Sequence, residues 1–167
     1  MNGLGATVLV LATMATGLTA GVFWIYGNAF LPGLRATDDR TFVGAFQSVD
    51  RAIINPWFIG GGFFGALVLT VVAAGLHLGE DWRSALPWII AAFVLHLVVV
   101  IITVTVNVPL NDAIKAAGDP ETIDVAAVRE AFSEGRWVAW NRVRIGLDIA
   151  AFAALSVALI LHGRAGG

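Results

Sequence analysis

Four apolar stretches, Leu4 to Tyr26, Trp57 to Leu78, Leu86 to Val106 and Val143 to Leu161, leave this chain few ways to fold. Each is long enough to cross about 30 Å of hydrocarbon at roughly 1.5 Å per residue. Lipid offers no hydrogen bonds to bare backbone, so a spanning segment is a helix or a strand of a closed barrel, and these are about twice a barrel strand's length. The prediction is an all-α integral membrane protein, an up-down four-helix bundle passing several times through the cell membrane. The composition agrees: 58% of the 167 residues are hydrophobic and 13% charged, against roughly 45–50% and about 25% in soluble domains. One membrane domain over residues 1–167 is expected, with no room for a soluble catalytic domain. The first stretch lacks a basic n-region and exceeds a signal h-region of about 7–15 residues, so it is expected to be retained.

A net charge of -2 gives no basic face for nucleic acid. The absence of cysteine excludes disulfides, thiolate metal sites and iron–sulfur clusters. The three histidines have no ligand spacing, with His77 at one membrane face, His96 near the middle and His162 at the tail, and His77 and His96 differ too much in depth to share a haem, so neither a metal nor a haem is expected. No phosphate loop, nucleophile elbow or zinc-protease motif is present, and no internal repeat points to an inverted-repeat transporter.

An up-down bundle places the first and third connections on one side of the membrane. The first carries Phe42, Val43, Phe46, Val49, Ile53 and Ile54 at helical spacing behind Asp38, and it stops at Asn55-Pro56. This predicts an interfacial amphipathic helix over about 38–54. The third turns at Asp119-Pro120 and restarts a helix with Asp124 as N-cap; the second is short. Arg35, Arg40, Arg51, Lys115, Arg129, Arg136, Arg142 and Arg144 lie on the two-loop side, against Arg83 and Arg164 opposite, which by the positive-inside rule makes the long loops cytoplasmic. Several of these arginines have acids nearby to pair with. Trp57, Trp82 and Trp88 fall near segment ends, where amphipathic rings favour the interface. Gly17 and Gly21, and Gly61 and Gly65, form GxxxG pairs that suit close helix packing.

Ionisable groups inside a bilayer are costly and therefore informative. On the third span His96, Thr103 and Asn107 share one face, extended by Asn111 and Lys115 if the helix continues past Pro109. Leading into the fourth, Trp137, Trp140, Asn141, Arg144 and Asp148 do the same. The two stripes should face each other and form a polar pocket at the two-loop mouth, with Asp148 deeper. Pro109 leaves a carbonyl without its donor, which Asn107 and Asn111 could satisfy or which could face a ligand. Asp148 is either a buried base or the partner of Arg144 four residues earlier; His96 is either a proton acceptor or a packing residue. On the first helix Thr16, Thr19, Phe23, Tyr26 and Phe30 keep one face, which brings Tyr26 to the same mouth.

Leu31-Pro32-Gly33-Leu34, Asp38-Asp39-Arg40-Thr41-Phe42, Gln47, Ile54-Asn55-Pro56-Trp57-Phe58, Asn107-Val108-Pro109-Leu110-Asn111-Asp112 and Trp137-Val138-Ala139-Trp140-Asn141-Arg142-Val143-Arg144, in this order and spacing, resemble the small four-helix membrane proteins of the anthrone-oxygenase-like family. The resemblance runs over nearly the whole chain. It implies a hydrophobic, anthrone-like aromatic substrate, oxidised to a quinone by proton abstraction and direct reaction with dioxygen, with no cofactor required. Under that implication Asn107, Asn111 and Asn141 hydrogen-bond the enolate oxygen, Arg144 supplies positive potential, and Trp137 and Trp140 stack on the substrate's rings; Asn55 and, from its stripe, Tyr26 are further candidates for binding the substrate. Asp148, or else His96, would be the general base; these two rest on the stripes alone, because the resemblance covers the Asn and Trp positions and does not establish either of them as catalytic. The competing readings are a protein that binds a small lipophilic molecule or transports it with protons, and a non-enzymatic membrane subunit. The expected partners are a hydrophobic small molecule and membrane lipid, with a homo-oligomer also open.

Overall fold

The computed structural model describes residues 3–79 and 83–165. The long helices are α1 (Gly3–Arg35), α3 (Trp57–Leu76), α4 (Leu86–Ala116) and α6 (Glu134–Ala165), all long and apolar enough to cross a membrane. Two shorter helices fill the long connections, α2 (Asp39–Ile53) and α5 (Val125–Ala131). Each long helix packs on its chain neighbour and α6 closes the ring against α1, which is the up-down bundle expected. No strand occurs among the described residues. Trp57 and Trp88 are exposed near helix ends, as interfacial rings should be; Trp82 lies outside the described residues.

Three helices outrun the apolar stretches that announced them. At about 1.5 Å per residue, the 33 residues of α1 exceed the hydrocarbon core. So α1, α4 and α6 project beyond it on the two-loop side. Prolines fail to stop α1 and α4 because each helix widens first. A π turn at Tyr26–Phe30 precedes Pro32 and another at Thr103–Asn107 precedes Pro109. In both cases the carbonyl four residues before the proline, which has no N–H to receive, falls inside the wide turn. The third π turn, Trp57–Phe63, opens α3 directly after Pro56.

Caps fall where the sequence puts them. Asp38 Oδ1 accepts the Thr41 N–H at 3.0 Å and Oδ2 accepts the Thr41 hydroxyl at 2.7 Å. The Thr41 N–H first, then the hydroxyl, hold this carboxyl below the usual carboxylate range. Asp124 Oδ1 likewise accepts the Ala127 N–H at 3.1 Å. The apolar face of α2, however, is turned into protein rather than lipid. Phe42, Val43 and Phe46 are buried with Ile114 of α4, Phe132 and Trp137. Gln47 Nε2 fastens the pair by donating to the carbonyls of Ile114 and Gly118, at 2.8 and 3.0 Å. Basic residues counted for orientation are spent tying the two loops together: Arg35 to Glu134 at 2.6 Å, Arg129 to Asp39 at 2.8 Å, and Arg40 to Glu121.

At the opposite end the core is built on alanines, Ala12, Ala73, Ala92, Ala151 and Ala158 among them, which let backbones approach. The GxxxG pairs do not form the seam. Gly17 faces the Phe152 ring, while Gly21 and Gly61 have nothing within 4 Å of where a Cβ would stand.

Candidate functional site

The three π turns among the described residues lie at the two-loop end, and between them is a cavity of about 180 Å³. One water needs only about 10–15 Å³ measured the same way, so the space suits a ligand. Its walls are largely apolar, with Phe23, Phe58, Phe63 and Trp137 among them; its polar groups are Tyr26, Asp50, Thr103, Asn111, Asp112, Lys115 and Arg144. Ile54, Phe64 and Val104 line the cavity and are also exposed on the outside of the bundle, so it opens on the side of α3 and α4.

Arg144 is 3% exposed. Its Nη1 donates to Thr103 Oγ1 at 3.2 Å and its Nη2 to Asn141 Oδ1 at 2.8 Å, both neutral acceptors, and its Nε has no partner. The guanidinium lies 4.3 Å from the Phe23 ring and 5.4 Å from that of Trp137. The pair with Asp148, one of the two alternatives that the spacing left open, does not form. Helical side chains lean toward the N-terminus, so Arg144 reaches back to Asn141 and away from Asp148.

Asp148 instead meets His96, Oδ1 to Nδ1 at 2.6 Å, with both side chains almost wholly buried. The other ring nitrogen, Nε2, is 2.9 Å from the Phe63 carbonyl, at the end of the α3 π turn. A carbonyl only accepts, so Nε2 carries a hydrogen; a contact of 2.6 Å between Nδ1 and a carboxyl oxygen needs a second one between them. The dyad therefore holds two hydrogens and no net charge, whichever atom owns the shared proton. Neither residue lines the cavity.

The remaining predicted residues divide. Trp137 Nε1 donates to Asn111 Oδ1 at 2.7 Å, and Asn111 Nδ2 to Asp50 Oδ1 at 2.7 Å. Lys115 Nζ lies 2.8 Å from Asp50 Oδ2 and 3.0 Å from Asp112 Oδ1. Tyr26 packs its ring 6.1 Å from that of Trp137, with its buried hydroxyl unpartnered. These four, Tyr26, Asn111, Trp137 and Arg144, reach the cavity. Asn107 and Asn141 do not; their amides hold backbone, Asn107 Nδ2 on the Trp137 carbonyl at 3.3 Å and Asn141 Nδ2 on the Phe23 carbonyl at 3.1 Å. Neither Asn107 nor Asn111 is spent on a carbonyl freed by Pro109. Asn55 caps α3, accepting the Phe58 N–H at 3.0 Å, and Trp140 is half-exposed away from the cavity. Asp50 was not singled out by the stripes. Its signal was nonetheless present: an acid on the apolar face of α2, four residues after Phe46 and three before Ile53.

Gly27 explains how α1 comes so close to α6 here. A Cβ at this position would stand 2.8 Å from Asn141 Nδ2 and 3.1 Å from Ile145 Cδ1. Gly27→Ala should push Asn141 off the Phe23 carbonyl, lowering stability by about 1–3 kcal/mol in thermal unfolding and loosening Arg144.

His77 and His162 also prove to be partners, Nε2 to Nδ1 at 2.9 Å, at the far end of the bundle. Among the described residues no three metal-binding side chains converge.

The family model for anthrone oxygenase matches residues 55–154, well over half of the chain. The chain belongs to the anthrone-oxygenase family. No curated protein and no solved structure matches it. The family match takes in α3, α4 and α5, and α6 as far as Ala154, so that it includes His96 and Asp148. It leaves outside α1 and α2, which bring Phe23, Tyr26 and Asp50 to the cavity.

Proposed function

We propose that this family member is a membrane-embedded oxygenase acting on a flat, hydrophobic phenolic ketone of the anthrone type, which reaches the cavity from the bilayer between α3 and α4. The observation that carries the reading is the cavity's polarity: aromatic and aliphatic walls open on the side of α3 and α4, with a guanidinium, a phenol and a carboxylate gathered at one end. Aromatic walls favour stacked rings, and the polar end suits a ketone whose neighbouring methylene is acidic.

Of the buried carboxyls at this end, Asp50 lines the cavity and Asp148 does not, so Asp50 is the group placed to take the methylene proton. Charge then moves to the ketone oxygen, toward Arg144 and the Tyr26 hydroxyl. The carbanion carbon gives up an electron pair in bonding to dioxygen, a hydroperoxide forms on taking up a proton, and loss of water leaves a new carbonyl. One CH₂ and one O₂ become one C=O and one H₂O, so four electrons balance.

The test is dioxygen uptake by detergent-purified, chelator-treated protein given an anthrone. Uptake above the spontaneous rate, with the quinone as product, is expected; no acceleration would overturn the reading. Substrate flux that follows a proton gradient in vesicles, without dioxygen consumption, would mean transport instead.

A further inference from the structure

Buried cations are normally neutralised, and Arg144 is not. The titratable groups around it come from every helix that builds the site except α3, which brings only phenylalanine and aliphatic side chains. From α1 comes Tyr26, a neutral phenol. From α2 and α4 come Asp50 and Lys115, paired at 2.8 Å and cancelling each other. Asp112, also from α4, is 61% exposed and solvated. His96 of α4 and Asp148 of α6 form the dyad that two hydrogens leave neutral. Among the described residues no carboxylate lies within ion-pair distance of the guanidinium, and its Nε is buried without an acceptor. The Tyr26 hydroxyl is an unpartnered donor on the same cavity.

We infer that the missing charge is supplied by the ligand, bound as an anion or ionised in place: the cavity is built for an organic monoanion, a planar phenolate or enolate, and selects it over a neutral ring system of the same shape. This deepens the oxygenase reading and rests on it for the identity of the rings. An enolate oxygen placed on Arg144 Nε and the Tyr26 hydroxyl would satisfy both orphan donors at once. The ground-state ketone offers only a neutral oxygen. Oxidation removes the acidic methylene, so the quinone product has no enolate to place on these donors.

The inference can be tested without dioxygen, by quenching of tryptophan fluorescence in non-ionic detergent. The probes are 2-hydroxyanthraquinone, an acidic phenol, and anthraquinone, its neutral analogue. The hydroxylated probe should bind about 10- to 100-fold more tightly once ionised, its affinity following its own titration. Anthraquinone, measured at the same pH values, should stay flat and so report any titration of the protein. Arg144→Met should erase the difference between the probes while leaving anthraquinone binding within a few-fold. Tyr26→Phe removes a hydroxyl with no partner in the empty protein; it should leave thermal stability intact and weaken the anion about 2- to 10-fold. If Arg144→Met does not fold, the pH comparison on the unaltered protein and on Tyr26→Phe decides. Equal affinity for the two probes at every pH overturns the inference, as does absence of binding by either. Preference for the anion without anthrone-dependent dioxygen uptake would overturn the oxygenase reading and leave this one standing.

Discussion

Asp50→Asn should lower anthrone-dependent dioxygen uptake by about 10²- to 10⁴-fold, the usual contribution of a general base, while the protein remains folded. The substitution keeps size and shape. Asn111 can still donate to the remaining side-chain oxygen at position 50, in place of the 2.7 Å bond it now makes. Lys115, deprived of one carboxylate, retains Asp112 at 3.0 Å. Losses should therefore fall on turnover and not on the Trp137–Asn111 side of the cavity. Circular dichroism and monodispersity in detergent would confirm the fold. Turnover at the unaltered rate would remove Asp50 as the base.

The second large effect separates two residues that touch. His96→Leu should destabilise the bundle by about 3–5 kcal/mol, the range for breaking a buried pair by deleting one member. It strands the Asp148 carboxyl, which is 0% exposed, and deprives the Phe63 carbonyl of its donor. Asp148→Asn, in contrast, should cost less than about 1 kcal/mol and leave dioxygen uptake nearly unchanged. An amide N–H can replace the shared proton in donating to His96 Nδ1, while Nε2 still donates to Phe63. If Asp148 is a catalytic base, the same substitution abolishes turnover with the fold intact. Thermal unfolding and dioxygen uptake on the two variants therefore distinguish a neutral dyad bracing the cavity wall from a proton acceptor within it.

The stripes placed His96 and Asp148 on facing helices but gave each a separate role, and left Asp148 open between a base and the partner of Arg144. Periodicity reports the face and depth of a residue along its own helix. It does not report the lean of a side chain or which group across the interface comes within 3 Å. The same gap accounts for the asparagines. Asn107 and Asn141 sit on the predicted faces, yet their amides serve the Trp137 and Phe23 carbonyls.

What the sequence by itself determined is what local chemistry and the bilayer enforce. Apolar length made four spanning helices, their alternation put two connections on one side, and acid caps and Asn55-Pro56 bounded the helices between them. The ordered motifs indicated the family. The tertiary structure alone decided which polar groups meet. Prolines near the ends of α1 and α4 are absorbed by π turns, so both helices run on, and α4 carries Asn111 and Lys115 toward α2. That helix then turns its apolar face, with Asp50 on it, into the protein. Arg144 is left without a counter-charge because its neighbours are neutralised in pairs, a fact of three-dimensional proximity that no spacing along the chain encodes.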